Sequence, residues 1–132
     1  MISIDEFKKV EITIGTILTA EKVPDADRLL RLTVDFGLKP SAQNADSSPD
    51  HSPQVNGLGE ERDIRQIISG IAEYFPDPAA LVGRQSPFVT NLEPRTIRGL
   101  ESQGMILAVG VPEGVFSLMH PDHEVPPGSG AK

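Results

Sequence analysis

The chain has 132 residues, the length of one ordinary domain, and its 38% hydrophobic content suffices for a single core. It has no apolar run of the roughly 18 residues that a membrane-spanning helix needs. It also has no cysteine for a disulfide, a thiolate zinc site or a thiol nucleophile. Twelve Lys+Arg against nineteen Asp+Glu leave a net charge of −7, which counts against indiscriminate binding to polyanions, although a local patch can carry the opposite sign.

The opening residues contain Asp5, Glu6, Lys8 and Lys9 where a secretory leader needs an apolar stretch, so a secreted precursor is not expected. Together with the missing cysteines this points to the cytoplasm. Ser3 with Glu6 three positions later has the form of a capping box and predicts a helical turn over Ser3–Lys8. From Glu11 to Ala20 the β-branched residues predict a strand with Ile12, Ile14, Thr16 and Leu18 on one face, and Gly15 predicts a bulge or tight coil. After the turn Pro24–Asp27, Leu30, Leu32, Val34 and Phe36 alternate with Arg31, Thr33 and Asp35 in a second strand.

Residues 38–61 differ in kind. They hold Pro40, Pro49 and Pro53, four serines and no aromatic residue, with one lysine against four acids. Such a stretch cannot bury enough apolar surface to offset the entropy of ordering it, and is expected to be a surface insertion. Asp63–Ile68 predicts a third strand, and Gly70–Phe75 with Pro78–Val82 a helical connection, Pro78 suiting the first helical position. Gln85–Asn91 predicts a fourth strand, the apolar run Gly104–Val109 a central fifth one, and Val115–Leu118 a short tail strand. The stripe Ile64, Ile67, Ile68 and Ile71 is expected in the core. Five curved strands with a helical connection between the third and fourth fit an all-β OB-fold, a five-stranded Greek-key barrel with short helices, within a single domain spanning residues 1–132. Other small barrels fit the same pattern.

The densest polar constellation is NLEPRTIRGLESQGM, residues 91–105, with Asn91, Arg95, Arg98, Ser102 and Gln103. Guanidiniums bind phosphates bidentately and stack on bases, and Ser and Gln can bond hydroxyls or phosphates. An ordinary polar hairpin fits the same composition. Arg28, Arg31, Arg62 and Arg65 form a second basic set, in which Arg31 and Arg65 could share one barrel face. His120, Asp122 and His123 lie in a proline-rich turn without a further ligand nearby, so no metal is expected. Tyr74 and Phe75 are expected to cap the barrel. Neither a triad for Ser69 or Ser102 nor a Gly-rich phosphate loop is present, so no enzyme activity and no cofactor are expected.

The segments FKKVEITIGTIL, EKVPDADRLLRLTVDFG, RQIISGIAEYFPDPAALVGR, NLEPRTIRGLESQGMILAV and LMHPDHEVPPG closely resemble, in order, the EMAP/Myf-type tRNA-binding domain family. That family includes appendages of methionyl-tRNA synthetases, stand-alone tRNA-binding proteins and CsaA-type chaperone-like proteins. The resemblance spans nearly the whole chain outside 38–61. It implies a homodimeric OB-fold that binds the elbow of folded tRNA by shape, in association with a synthetase. The residues it marks as RNA-facing are Asn91, Arg95, Arg98, Ser102, Gln103 and Met105, with Arg65 and Ser69 in support. Arg28 stands where family members usually carry lysine. Dimerisation is implied for Ile4–Val10 and His120–Gly128. Glu93 and Thr96 replace common lysines, and residues 84–105 sum to +1, with Arg84, Arg95 and Arg98 against Glu93 and Glu101. Weak, salt-sensitive binding or dependence on a partner enzyme follows. With no catalytic segment beside it, the chain reads as a stand-alone protein or separate subunit. The alternative is a CsaA-like chaperone that binds extended peptides in a dimer groove.

Overall fold

The computed structural model describes residues 1–38, 62–111 and 114–131. Helix α1 (Ile4–Phe7) is followed by long strands β1 (Ile12–Val23) and β2 (Ala26–Leu38), then β3 (Arg62–Ser69) and β4 (Gln85–Val89). Short strands come next: β5 (Arg95–Ile97), β6 (Leu100–Ser102), β7 (Met105–Ile106), β8 (Ala108–Gly110) and β9 (Phe116–Leu118). The insertion expected at 38–61 lies outside the described residues except for Leu38, which ends β2 and pairs with Arg62.

Strands β3-β2-β1-β4-β7 form one antiparallel five-stranded sheet, curled into a half-barrel of the OB type. The interior is filled as the β2 alternation requires: Leu30, Leu32 and Val34 are inaccessible to solvent, and Phe36 meets Phe88 edge-to-face at 5.2 Å. On β1 the buried positions are Gly15 and Ile17, whereas Leu18 is exposed, so the face expected to carry Ile12, Ile14, Thr16 and Leu18 is the one turned away from the barrel interior. The reason is the packing of Phe36. A Cβ on Gly15 would come within 2.6 Å of Phe36 Cε1, so the bare glycine faces inward to admit the ring. Gly15 itself pairs regularly with Ser86, and the break in β1–β2 register falls later, between Ile17 and Thr19.

Three further expectations shift. Between β3 and β4 the chain makes two 3₁₀ turns, Ala72–Tyr74 and Pro78–Leu81, the second with Pro78 at its start and Asp77 capping Ala79 N–H at 3.2 Å. Ile64 is exposed, while Ile67, Ile68 and Ile71 are buried. The apolar run Gly104–Val109 is not a central strand: Met105 and Ile106 pair with β4, and Ala108–Gly110 turns away to pair with β9. Leu107 N–H reaches Pro87 O at 3.0 Å, but Pro87 has no N–H to return, so the ladder stops there.

The carboxyl-terminal tail is sewn onto the free edge of the first half of β1. Ile14 N–H donates to Ser129 O and Gly128 N–H to Ile14 O, both at 2.8 Å, and Gln85 holds Val125 through both side-chain atoms. At the other end, the expected capping box forms on α1, but no residue of α1 is buried. Among the described residues no helix is long and apolar enough to cross a membrane.

Candidate functional site

The segment NLEPRTIRGLESQ leaves the barrel after β4 and returns at β7, folding as the β5–β6 hairpin with Arg95 opposite Ser102 and Ile97 opposite Leu100. Its tip is Arg98-Gly99, both with positive φ, at 53° and 82°, the geometry of a type I′ turn that matches strand twist. Arg95 and Arg98 are exposed, and neither side chain has a hydrogen bond or ion pair among the described residues.

The root of the hairpin closes the barrel. Gln103 N–H donates to Gln66 O at 2.8 Å, and Gln66 N–H donates back to the Gln103 side-chain oxygen at 3.0 Å. Gln66 Nε2 donates to Glu101 O at 2.8 Å. Ser102, 4% exposed, accepts from Ile68 N–H at 2.9 Å and donates to Gly104 O at 3.1 Å. One backbone bond and several side-chain bonds thus take the place of a strand ladder between β3 and the hairpin's return leg. Asn91 ties the outgoing leg to the amino-terminal segment, accepting from Glu11 N–H at 2.9 Å and donating to Lys9 O at 2.6 Å.

The sequence-derived candidates therefore separate. Arg95, Arg98 and Met105 are exposed on or beside the hairpin. Arg28 is also exposed, with only a loose approach of 3.7 Å to Glu73. Asn91, Ser102, Gln103 and Arg65 spend polar atoms inside the protein, Arg65 on Asp63 and on the carbonyls of Thr90 and Gln103. Ser69 is half-buried at the end of β3, opposite Leu30. Arg31 and Arg65 do not share a face. Arg65 lies opposite the inward Val34, an odd number of residues from Arg31 along β2, and Arg31 is paired with Glu21.

Lys22 escaped the reading of the sequence. It is exposed, and with Arg31 and Leu100 it lines a groove of about 240 Å³ between the end of β1 and the hairpin. A single lysine beside a turn carries no signal in one dimension. Elsewhere, Tyr74 stacks on Phe116 at 4.1 Å and Phe75 meets the same ring edge-on, lining an open cleft of about 820 Å³ with Arg84 and His120. His123 lies 3.7 Å from Asp122, and no trio of metal-ligating side chains forms among the described residues.

Known proteins resemble this chain in sequence and fold. Residues 54–130 match the family model described as "Putative tRNA binding domain". Methionine–tRNA ligases of Enterococcus faecalis and Methanosphaerula palustris are 38% and 41% identical to this chain over 129 residues, 98% of it. The match spans only 16% and 15% of those enzymes' own lengths. Among solved structures, a MetRS related protein from Pyrococcus horikoshii superposes with a TM-score of 0.76 at 31% identity, covering 100% of this chain and 98% of that one. The chaperone CsaA from Bacillus anthracis superposes with a TM-score of 0.71 at 27% identity, covering 100% and 99%. By its motif, its barrel and these matches, the chain belongs to the tRNA-binding domain family.

Proposed function

We propose that this chain is a non-catalytic module that holds folded tRNA by shape, in the cytoplasm, as a homodimer working beside a methionyl-type synthetase. The observation that carries the reading is the hairpin itself: Arg95 and Arg98 stand exposed and without ion pairs among the described residues, on a root immobilised by Ser102 and Gln103. Guanidiniums so presented are suited to phosphate oxygens, because the fork is planar and the backbone that carries it is already held. Met105, Arg28 and Lys22 are further exposed candidates, Asn91, Ser102, Gln103 and Arg65 hold the hairpin in place, and Ser69 stands half-buried at the end of β3. A module that binds tRNA without chemistry raises its effective concentration for an enzyme docked alongside.

The dimer is supported by Ile2, Ile4, Phe7 and Val10, which lie exposed around α1 and would be covered by a second copy. Two hairpins would then address one bent polyanion.

The test is a gel-shift titration with tRNA, duplex RNA and single-stranded RNA at several salt concentrations. tRNA should bind best, and with about four phosphates contacted, affinity should fall roughly 10²-fold between 50 and 200 mM salt. Arg95→Ala with Arg98→Ala should weaken binding while leaving the fold intact. Equal or absent binding of all three RNAs at low salt would refute the reading. The likeness to CsaA and the exposed apolar amino terminus favour a second reading, an extended peptide held between subunits. That reading requires binding to peptides with little salt dependence.

A further inference from the structure

Thr90 and Gln103 flank the excursion of residues 91–102 that carries Arg95 and Arg98. A single nitrogen of Arg65, Nη1, donates to both of their carbonyls, at 2.7 Å to Thr90 and 3.2 Å to Gln103. The other edge of the same guanidinium is gripped by Asp63, with Nε to Oδ1 and Nη2 to Oδ2 both at 3.0 Å. Its carbon lies 5.4 Å from the centre of the Phe36 ring, and the side chain is 24% exposed. A guanidinium engaged on both edges and near an aromatic ring has little left to offer a ligand.

We propose that Arg65 is a positioning residue: it clasps the two ends of the 91–102 excursion and so sets where Arg95 and Arg98 stand before RNA arrives. This rests on the tRNA reading above. Two-stranded hairpins are marginal by themselves, and the strands of this one are three residues each, so its direction must be imposed at the root. The return leg is pinned to β3 by Ser102 and Gln103. The outgoing leg reaches β3 through the Thr90 carbonyl on Arg65. Lysine cannot replace this clasp, because a point charge lacks the fork that meets Asp63 on one edge and the carbonyls on the other. The device is preorganisation, in which binding strength comes from order already present.

The experiment measures tRNA affinity of the full chain at fixed salt for Arg65→Lys and Asp63→Asn, each alone and combined with Arg95→Ala/Arg98→Ala. Arg65→Lys should weaken tRNA about 10-fold while the far-ultraviolet circular dichroism is retained. In the Arg95→Ala/Arg98→Ala background it should change affinity less than about twofold, because it acts through those side chains. Asp63→Asn, which keeps the guanidinium but loosens it, should give a smaller loss with the same non-additivity, and it decides the matter if Arg65→Lys does not fold. Unchanged affinity, or an equal loss in both backgrounds, would overturn the clasp. If Arg95→Ala/Arg98→Ala leaves tRNA binding intact, the RNA reading fails instead. Hydrogen exchange at the Thr96–Gly99 amides then still judges the clasp: it must accelerate in Arg65→Lys without RNA, and unaltered exchange refutes it.

Discussion

Arg98 occupies a backbone conformation, φ 53°, that costs a non-glycine residue of its kind about 1 kcal/mol or more, where Asn or Gly would sit with less strain. On the proposed reading, that strain is offset by the contact the exposed Arg98 side chain makes with RNA. Arg98→Asn should therefore leave the melting temperature unchanged or raise it by a few degrees while tRNA affinity drops about 10-fold, checked by thermal denaturation and titration on one preparation. Arg31 is the opposite case, a cation neutralised by its cross-strand neighbour Glu21 beside the groove that Lys22 also lines. Glu21→Gln frees it. We expect tRNA to bind about threefold more tightly at low salt, with the gain disappearing as salt screens it. No gain at low salt would show that RNA does not reach this groove.

At the scale of elements, the hairpin and β3 are joined mostly by side chains, with one backbone bond from Gln103 to Gln66, where a barrel would ordinarily use a ladder. Ser102 is the most exacting of these contacts, since it is buried and is the partner given to Ile68 N–H. Ser102→Ala leaves that donor without an acceptor in a dry environment, which should cost about 1–3 kcal/mol in urea denaturation. Asn91, on the exposed side of the same hairpin, should be more forgiving, because water can replace what it offers to Glu11 and Lys9. The polar letters of the motif, read along the chain as ligand contacts, thus divide into a presented pair and its supports.

For the molecule as a whole, the uncovered α1 bears on assembly and the buried aromatics on stability. Phe7→Asp should convert the proposed dimer into a monomer in multi-angle light scattering, with the barrel's circular dichroism retained because Phe7 is exposed and lies outside the core cluster. A wild-type chain that scatters as a monomer would remove the two-hairpin geometry from the proposal. Phe88 lies at 0% exposure against Phe36, so Phe88→Ala should cost about 3–5 kcal/mol in the same denaturation experiment, a loss that no surface substitution should match.

Much of this was legible in one dimension. Alternation along Leu30–Phe36 identified the inner face of β2, Ser3 with Glu6 the cap of α1, and the NLEPRTIRGLESQGM motif the family, because each depends on residues close together in the chain. What sequence could not supply were relations between distant segments. Gly15 faces inward because Phe36 arrives from another strand, and Gly104–Val109 divides because Pro87 on the neighbouring strand has no N–H to continue the ladder. For Arg65, Ser102 and Gln103 the sequence shows the chemistry of the side chain but not its partner within the fold. Only closure of the barrel decided that these would bond inward and that Arg95 and Arg98 would be left facing solvent, since a buried polar atom must be satisfied by whatever the fold brings beside it.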